Sequence, residues 1–127
     1  MIADLPVDLT GDDNTVQSEV SISRSLEPEE TKSLLQHATA VNHSDASELL
    51  LTAFARSLSS WTTTNELLVE VEAHGREDLF SDVNLSRTVG AFATTAPVLL
   101  QKLHFEDLGE TLQSVKEQVR RIPRRGV

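Results

Sequence analysis

The amino-acid sequence predicts a mixed α/β fold, in which strands alternate with amphipathic helices. One segment has apolar residues at every second position, the period of a strand with one buried face: Leu67, Val69, Val71 and Ala73. Another has them three or four positions apart, the period of an amphipathic helix: Leu108, Leu112, Val115, Val119 and Ile122. Strands and helices in mixed order build α/β or α+β domains, so we expect a mixed sheet with flanking helices.

Composition narrows the class of protein. The chain has 127 residues, 39% of them hydrophobic, which suits one globular unit over residues 1–127. It has no cysteine, which excludes a disulfide scaffold, thiolate metal ligands and a cysteine nucleophile. No apolar run is long enough to cross a membrane, and the first residues lack the basic start of a signal peptide. We therefore expect a cytoplasmic protein without membrane contact.

The charge is acidic overall and basic at the C-terminal end. The formal charge of −9 argues against nucleic acid as a partner, because phosphate binding needs a basic surface. Four arginines stand close together near the end of the chain: Arg120, Arg121, Arg124 and Arg125. They could contact an acidic partner, or they could simply complement the negative end of a helix dipole.

The first half of the chain predicts a strand and two helices. Residues 1–14 read as an irregular lead-in, and residues 15–26 as a half-buried strand. Pro28 suits the first turn of a helix over 28–38 that buries Leu34 and Leu35. Asp45 and Glu48 form a capping-box pattern that opens a helix reaching about Ser60. The apolar face of that helix comprises Leu50, Leu51, Phe54, Leu58 and Trp61.

The second half predicts two strands and a helix. A loop over 62–65 leads into the strand over 67–73, whose second face ends in Glu70 and Glu72. Residues 74–88 are polar and turn-like. Residues 89–103 are rich in β-formers, with Pro97 indicating a strand start, edge or bulge. The last helix begins near Leu108 and stops at Pro123.

The densest group of chemically useful side chains follows the 67–73 strand. Glu72, His74, Arg76 and Glu77 place an acid, a base and a cation at the end of a rigid element, with Gly75 between them. A glutamate is suited to proton transfer at a carbon acid when its pKa is raised toward neutrality. The alternative interpretation is an ordinary charged exit from a strand.

A second polar segment holds Arg87, Thr88 and Gly90. Arg87 could belong to a site or form an ion pair, and Gly90 would allow a bulge or a close backbone approach. The four histidines lack metal-ligand spacing, so we expect no metal site. The chain also lacks a GxSxG nucleophile motif, a P-loop and a dinucleotide fingerprint.

The order of these segments resembles the C-terminal half of a nonribosomal peptide synthetase condensation-superfamily domain, specifically an epimerization domain. The segment 48–53 is similar to the family's Asp-x-Leu-Leu-x-Ala helix, and 72–77 resembles Glu-Gly-His-Gly-Arg-Glu of the epimerization branch. Residues 86–90 match the start of Arg-Thr-Val-Gly-Trp-Phe-Thr, although Ala91, Ala93 and Ala96 depart from it. Residues 123–127 resemble the opening of Pro-x-x-Gly-x-Gly-Tyr-Gly.

The resemblance implies a half-domain with a chloramphenicol acetyltransferase-like fold. It implies that a peptidyl carrier protein brings an aminoacyl or peptidyl thioester on its phosphopantetheine arm, with no cofactor bound directly. By resemblance Glu72 is the proton-shuttling carboxylate in L- to D-interconversion. His74, Gly75, Arg76 and Glu77, with Arg87, Thr88 and Gly90, would shape the site. The arginines Arg120, Arg121, Arg124 and Arg125 would be a weak carrier contact.

The family's His-His-x-x-x-Asp-Gly string is absent from these 127 residues. The resemblance therefore implies partners: the N-terminal half-domain, the carrier protein and the adenylation domain of the same synthetase. We expect residues 1–127 to lack the N-terminal half and the end of the domain, and to show no turnover alone. Two alternatives remain open: a fragment of a peptide-bond-forming condensation domain, or a non-catalytic remnant that binds a carrier protein.

Overall fold

The computed structural model describes residues 5–7, 11, 15–76, 82–103 and 106–122. It contains helices and a small antiparallel sheet, which confirms the predicted mixed α/β fold. The elements in chain order are a one-turn 3-10 helix (Val16–Ser18), α1 (Pro28–Lys32), a π-helical stretch (Ser33–Ala38), α2 (Thr39–Asn42), α3 (Ala46–Thr62), β1 (Leu67–Ala73), β2 (Thr94–Leu100) and α4 (Leu108–Arg120).

The sheet pairs β1 with β2 over seven residues and has two different faces. The pairs Leu67–Leu100, Val69–Val98 and Val71–Ala96 turn toward the helices and are buried or half-buried. The pairs Leu68–Leu99, Glu70–Pro97 and Glu72–Thr95 lie on the opposite side, which we call the open face, and all six residues are exposed. Side chains alternate along a strand, so this register fixes which residues enter the core.

The core lies between the sheet, α3 and α4. Its buried members come from all of these elements and from the turn after β2: Ala55, Leu67, Val98, Leu100, Leu103 and Val115. Side chains at the margin pack against them: Leu51, Leu58, Val69, Val71, Val119 and Ile122. Leu100 and Val115 are fully buried and form the centre of this cluster.

An ion pair with a buried carboxylate ties the end of α4 to the start of α3. Arg120 Nε donates to Glu48 Oε1 at 2.8 Å, and Arg120 Nη2 donates to Glu48 Oε2 at 3.1 Å. Glu48 is 4% exposed and also completes the predicted capping box with Asp45. The hydrogen bond and negative charge of Glu48 raise the pKa of Arg120. Bidentate geometry of this kind fixes direction as well as distance.

A second link runs from α4 to the turn before α3. Lys116 Nζ donates to the carbonyl of Asn42 at 2.8 Å, and Arg120 Nη2 reaches the carbonyl of His43 at 3.3 Å. His43 ends α2 in the left-handed conformation, with φ of 48°. Both carbonyls belong to the end of a helix, where backbone acceptors lack partners within the helix.

The helix predicted over 28–38 extends further along the chain than expected, and its leucines are less buried than expected. Helical backbone continues through the π-helical stretch to Asn42, and Pro28 occupies the first turn as predicted. Leu34 is only half-buried, and Leu35 is 53% exposed, so the expected burial of both leucines is wrong. The helix contacts too little of the described core to cover them.

The predicted strand over 15–26 is wrong. Residues 16–18 form a 3-10 turn, and 19–26 have no regular secondary structure. The four apolar residues of the pattern are all exposed: Val16, Val20, Ile22 and Leu26. A strand needs a neighbour for its backbone groups, and no described strand pairs with this segment.

Helix α3 has the predicted capping box and nearly the predicted length, but its orientation corrects the sequence interpretation. Leu51 and Leu58 pack against the core, whereas Leu50, Phe54 and Trp61 are exposed. The fully turned-in residues are mostly small or polar: Glu48, Thr52, Ala55 and Ser59. The ion pair to Arg120 holds Glu48 inward, which leaves the larger side chains outside.

The remaining elements agree with the sequence. β1 matches the predicted strand, β2 occupies the centre of 89–103, and α4 buries Leu112 and Val115. Leu108, at the first turn of α4, is exposed instead. The residues predicted as a lead-in lie mostly outside the described part of the chain. Among described helices, none is both long and apolar enough to cross a membrane.

Two adjacent leucines of β2, Leu99 and Leu100, test this packing because their side chains lie on opposite faces of the sheet. Leu100→Ala should lower the free energy of unfolding by about 2–5 kcal/mol, because Leu100 is fully buried and a cavity would remain. Leu99→Ala is the matched control, since Leu99 lies on the open face and is 41% exposed. Chemical denaturation of the 127-residue chain measures both changes. Equal losses would contradict the assigned register.

Candidate functional site

Glu72 lies on the open face, one residue before the end of β1. It pairs with Thr95 across the sheet, and Glu70 occupies the same face two residues earlier opposite Pro97. Both glutamates are exposed, as the alternation in the sequence predicted. A carboxylate here is held by a paired strand yet reachable from the side away from the helices. That placement suits a group that must meet a substrate.

His74 is fixed by the backbone of the turn that follows β1. The backbone N–H of Arg76 donates to His74 Nδ1 at 2.9 Å. This hydrogen bond orients the imidazole at the strand end that carries Glu72.

Gly75 occupies a position that other residues cannot take. Its φ is +63°, and a Cβ built there would lie 1.6 Å from the carbonyl oxygen of Phe92. The backbone of the β1 exit thus touches the backbone of the segment leading into β2. Only glycine combines the left-handed conformation with this contact.

Arg76 binds the 85–90 segment through three backbone carbonyls. Nη1 donates to Leu85 and Thr88, each at 2.9 Å, and Nη2 donates to Gly90 at 3.2 Å. The guanidinium carbon also stands 4.4 Å from the centre of the Phe92 ring, a cation–π distance. A planar guanidinium offers several donors in a fixed plane, so one side chain can hold all three carbonyls.

These contacts join the two polar segments that the sequence singled out. Through Arg76, the turn after β1 holds Thr88 and Gly90, while Arg87 is exposed on the same loop. A Cβ at Gly90 would lie 3.0 Å from Phe92 Cε2, so the predicted close approach involves the ring. Glu77 lies outside the described residues.

A groove of about 580 Å³ lies at the end of β1, between the sheet and the ends of α3 and α4. Its apolar lining consists of Val71, Ala73, Ala96, Val119 and Ile122. Its polar lining consists of Asp45, Ser47, Glu48, Glu72, His74 and Arg120. The open face and this groove therefore meet at the strand end that carries Glu72.

The two described arginines of the predicted basic contact form ion pairs within the chain. Arg120 is committed to Glu48, and Arg121 Nη2 lies 3.8 Å from Glu117 Oε2 across a single helix turn. Arg121 is 77% exposed at its side chain, so that pair is weak. Arg124 and Arg125 fall beyond the described part of the chain.

Sequence reasoning missed two residues of this region. Phe92 contacts Arg76, and its place just before a strand did not distinguish it from a core aromatic residue. Glu48 forms the ion pair with Arg120, but the capping pattern explained it locally, and its partner is 72 residues away. No group of acidic residues and histidines suited to a metal ion occurs among the residues with a defined placement.

The Gly75 conformation predicts a sharp difference between two glycines. Gly75→Ala should destabilise the chain by more than about 1–2 kcal/mol, because the left-handed backbone is strained and the new Cβ meets Phe92. Gly11→Ala is the control, since a Cβ at Gly11 meets nothing within 4 Å. Thermal unfolding of both variants decides between them, and an unchanged midpoint for Gly75→Ala would refute the contact.

The Arg76 contacts predict that one side chain controls the mobility of the following loop. Arg76→Ala should speed amide hydrogen exchange across 85–90, since three carbonyls lose their donor. Arg87→Ala, on the exposed surface of the same loop, should leave that exchange unchanged. Mass-spectrometric exchange on the intact chain measures the difference. Equal rates in the two variants would mean that the loop is held by other contacts.

Comparison with known proteins places this geometry in a family. The condensation domain family model matches residues 1–127. The chain is 43% identical over 126 residues to a subunit of linear gramicidin synthase from Brevibacillus parabrevis, covering 99% of this chain and 2% of that protein. It is 37% identical over 125 residues to surfactin synthase subunit 1 of Bacillus subtilis (strain 168), covering 98% of this chain and 4% of that protein. The chain thus spans a small part of the relatives it matches.

Solved structures agree in fold. The epimerization domain from the third module of tyrocidine synthetase B matches with a TM-score of 0.87 and 35% identity, over 99% of this chain and 28% of that one. The first condensation domain of the calcium-dependent antibiotic synthetase, in complex with a substrate analogue, matches in fold with a TM-score of 0.63 and 19% identity, over 77% and 21%. The family expected from the motifs is confirmed: the chain belongs to the condensation domain family of nonribosomal peptide synthetases.

Proposed function

We propose that this chain is the C-terminal part of an epimerization domain that interconverts L- and D-aminoacyl or peptidyl thioesters. The substrate would be carried on the phosphopantetheine arm of a carrier protein. The reaction breaks the Cα–H bond, places the electron pair on the thioester enolate, and returns a proton to the opposite side of Cα. The chain supplies one acid/base group for this exchange and depends on the rest of the domain for the other.

The observation that carries the proposal is the placement of Glu72. Its carboxylate lies on the open face, at the strand end that Gly75 and Arg76 join to the 85–92 segment. A group on a paired strand keeps its direction, which proton transfer requires, because the donor must come within hydrogen-bond reach of the carbon acid. The thioester carbonyl makes the Cα proton acidic, so placed acid/base groups and enolate stabilisation suffice without a metal.

The neighbouring residues have supporting roles in this proposal. His74 and Arg76 shape the turn beside Glu72, and Arg76 keeps Thr88 and Gly90 in place. None of these contacts uses the Glu72 carboxylate itself. We therefore assign Glu72 the catalytic role and assign His74, Gly75 and Arg76 positioning roles.

The comparisons support the epimerase interpretation over peptide-bond formation. The matching epimerization domain has 35% identity, whereas the condensation-domain matches have 19–20% and agree in fold alone. The segment 72–77 also resembles the epimerization branch. Of the two described arginines of the predicted carrier contact, Arg121 is the more accessible, with a side chain 77% exposed against 58% for Arg120, which pairs with Glu48.

A chimera tests the proposal with a matched pair of glutamates. The 127 residues would replace the corresponding segment of the tyrocidine epimerization domain, which shares their backbone over 99% of this chain. Glu72→Gln should lower the rate of L- to D-conversion of a carrier-bound aminoacyl thioester by about 10²–10⁴-fold. Glu70→Gln changes the same charge on the same face and should retain activity. Chiral analysis of the released amino acid measures both rates.

Deuterium incorporation at Cα from heavy water separates the competing outcomes. Loss of both conversion and incorporation in Glu72→Gln supports a proton-transfer role. Equal rates in Glu72→Gln and Glu70→Gln would refute that role. A folded chimera that forms peptide bonds but incorporates no deuterium would favour the condensation alternative.

A further inference from the structure

Phe92 touches the turn after β1 with both its backbone and its ring. Its carbonyl oxygen would lie 1.6 Å from a Cβ built on Gly75, so the two backbones are in direct contact. The centre of its ring is 4.4 Å from the guanidinium carbon of Arg76. The same ring lies beside Gly90, where a built Cβ would come within 3.0 Å of Phe92 Cε2. A single residue on the approach to β2 therefore contacts both segments of the candidate site.

The contact with Gly75 continues the sheet beyond its last backbone pair. The pairing of β1 with β2 ends at Ala73 and Thr94. Two further steps in the same register place Gly75 opposite Phe92. Glu72 belongs to the second pair from this end. The ends of a strand pair open more easily than its middle, because fewer neighbours hold them. The contact of Phe92 with Gly75 therefore closes the end of the sheet that carries Glu72.

The surroundings of Phe92 differ from those of a core aromatic residue. Its side chain is half-buried, and in the described part of the chain it is not among those that pack against the core cluster. Its ring contacts a cation instead. A cation is attracted to the face of an aromatic ring, and an aliphatic side chain of similar volume lacks this attraction. Position 92 therefore uses the chemistry of a ring, and not only its apolar volume.

The guanidinium of Arg76 uses the ring and the loop at the same time. Its central carbon lies over the ring of Phe92, whereas its N–H bonds point outward in the guanidinium plane. These donors bind three carbonyls of the loop, those of Leu85, Thr88 and Gly90. A charge held over the ring stays in one place, so its donors remain directed at the loop.

We propose that Phe92 is a positioning residue for Glu72. Its ring holds Arg76 and its carbonyl holds Gly75, and together these contacts fix the direction of the Glu72 carboxylate. This inference rests on the catalytic role proposed for Glu72, and Phe92 itself does not touch the reacting atoms. Proton transfer is sensitive to distance, since a displacement of about 1 Å can lower a rate by about 10²-fold. Loss of the ring should therefore slow the reaction and leave substrate binding unchanged.

The chimera with the tyrocidine epimerization domain tests this role by kinetics. Phe92→Leu keeps apolar volume but removes the ring, and it should lower kcat for L- to D-conversion by about 10–10²-fold. KM for the carrier-bound aminoacyl thioester should stay within about twofold, because the lost contact acts on proton transfer. Phe92→Tyr keeps the ring and should retain kcat within about threefold. Phe54→Leu is the matched control and should change neither constant, since Phe54 is 51% exposed on α3.

A double variant tests whether Phe92 acts through Arg76. Arg76→Lys keeps the charge but loses the planar group that binds three carbonyls. If the ring acts through that group, adding Phe92→Leu to Arg76→Lys should lower kcat by less than about a further twofold. Two losses that multiply in full would overturn the proposal, because the two side chains would then act independently.

Hydrogen exchange gives a measurement that needs no catalytic activity. In the 127-residue chain, Phe92→Leu should speed amide exchange across 85–90, because Arg76 loses the contact that holds its donors in place. Phe54→Leu should leave exchange in that loop unchanged. Unaltered exchange in Phe92→Leu would also overturn the proposal, since Arg76 would then bind the loop without the ring.

The kinetic outcomes separate a failure of this inference from a failure of the proposed function. Full activity of Glu72→Gln would refute the catalytic role of Glu72, and the role of Phe92 would fall with it. An inactive Glu72→Gln chimera beside a fully active Phe92→Leu chimera would refute the role of Phe92 alone. Equal losses in Phe92→Leu and Phe92→Tyr, a rise in KM that matches the fall in kcat, or a Phe92→Leu chimera that does not fold would mean that Phe92 has a structural role only.

Discussion

The antiparallel pairing of β1 with β2 is the constraint on which the other features depend. Its register places Val69 and Val71 toward the helices and Glu70 and Glu72 on the open face. A shift by one residue would exchange the two sets, burying carboxylates and exposing the core. The same pairing brings the end of β1 beside the start of β2, where Gly75 meets Phe92. The composition of the core, the exposure of Glu72 and the contact of Gly75 with Phe92 therefore all depend on the pairing of β1 with β2.

The ion pair of Glu48 with Arg120 explains why α3 faces the way it does. A carboxylate that is 4% exposed needs its charge partner, because removing that partner leaves an uncompensated buried charge. Rotating α3 to bury Phe54 and Trp61 would pull Glu48 away from Arg120. The pair contributes orientation more than net stability, since desolvation offsets much of its attraction.

Local features of the sequence predicted most of the fold. The period of 67–73 indicated β1, the three-and-four spacing indicated α4, and Asp45 with Glu48 indicated the start of α3. Contacts between distant residues decided the failures. The face of α3 depends on Arg120, 72 positions from Glu48, and residues 19–26 have the period of a strand but no described strand beside them. Periodicity says that a face exists and does not say what covers it.

The candidate site divides in the same way. The order of motifs singled out Glu72, His74, Gly75 and Arg76, and the structure brings them to one strand end. The sequence did not predict that Arg76 binds three backbone carbonyls. Every residue has a backbone carbonyl, so the residue types of the three partners gave no sign of these contacts. Phe92 was hidden for the opposite reason, since an aromatic residue before a strand usually belongs to the core.

Pro97 determines which edge of the sheet can pair with a further strand. It pairs with Glu70 inside an unbroken ladder, and because proline has no N–H its nitrogen must point away from β1. The outer edge of β2 therefore lacks one donor in the middle of the strand, so a further strand laid there would leave one acceptor unmatched. The free edge of β1 has no proline along its seven residues. A further strand is better accommodated beside β1 than beside β2, and there it would extend the open face from the side that carries Glu72.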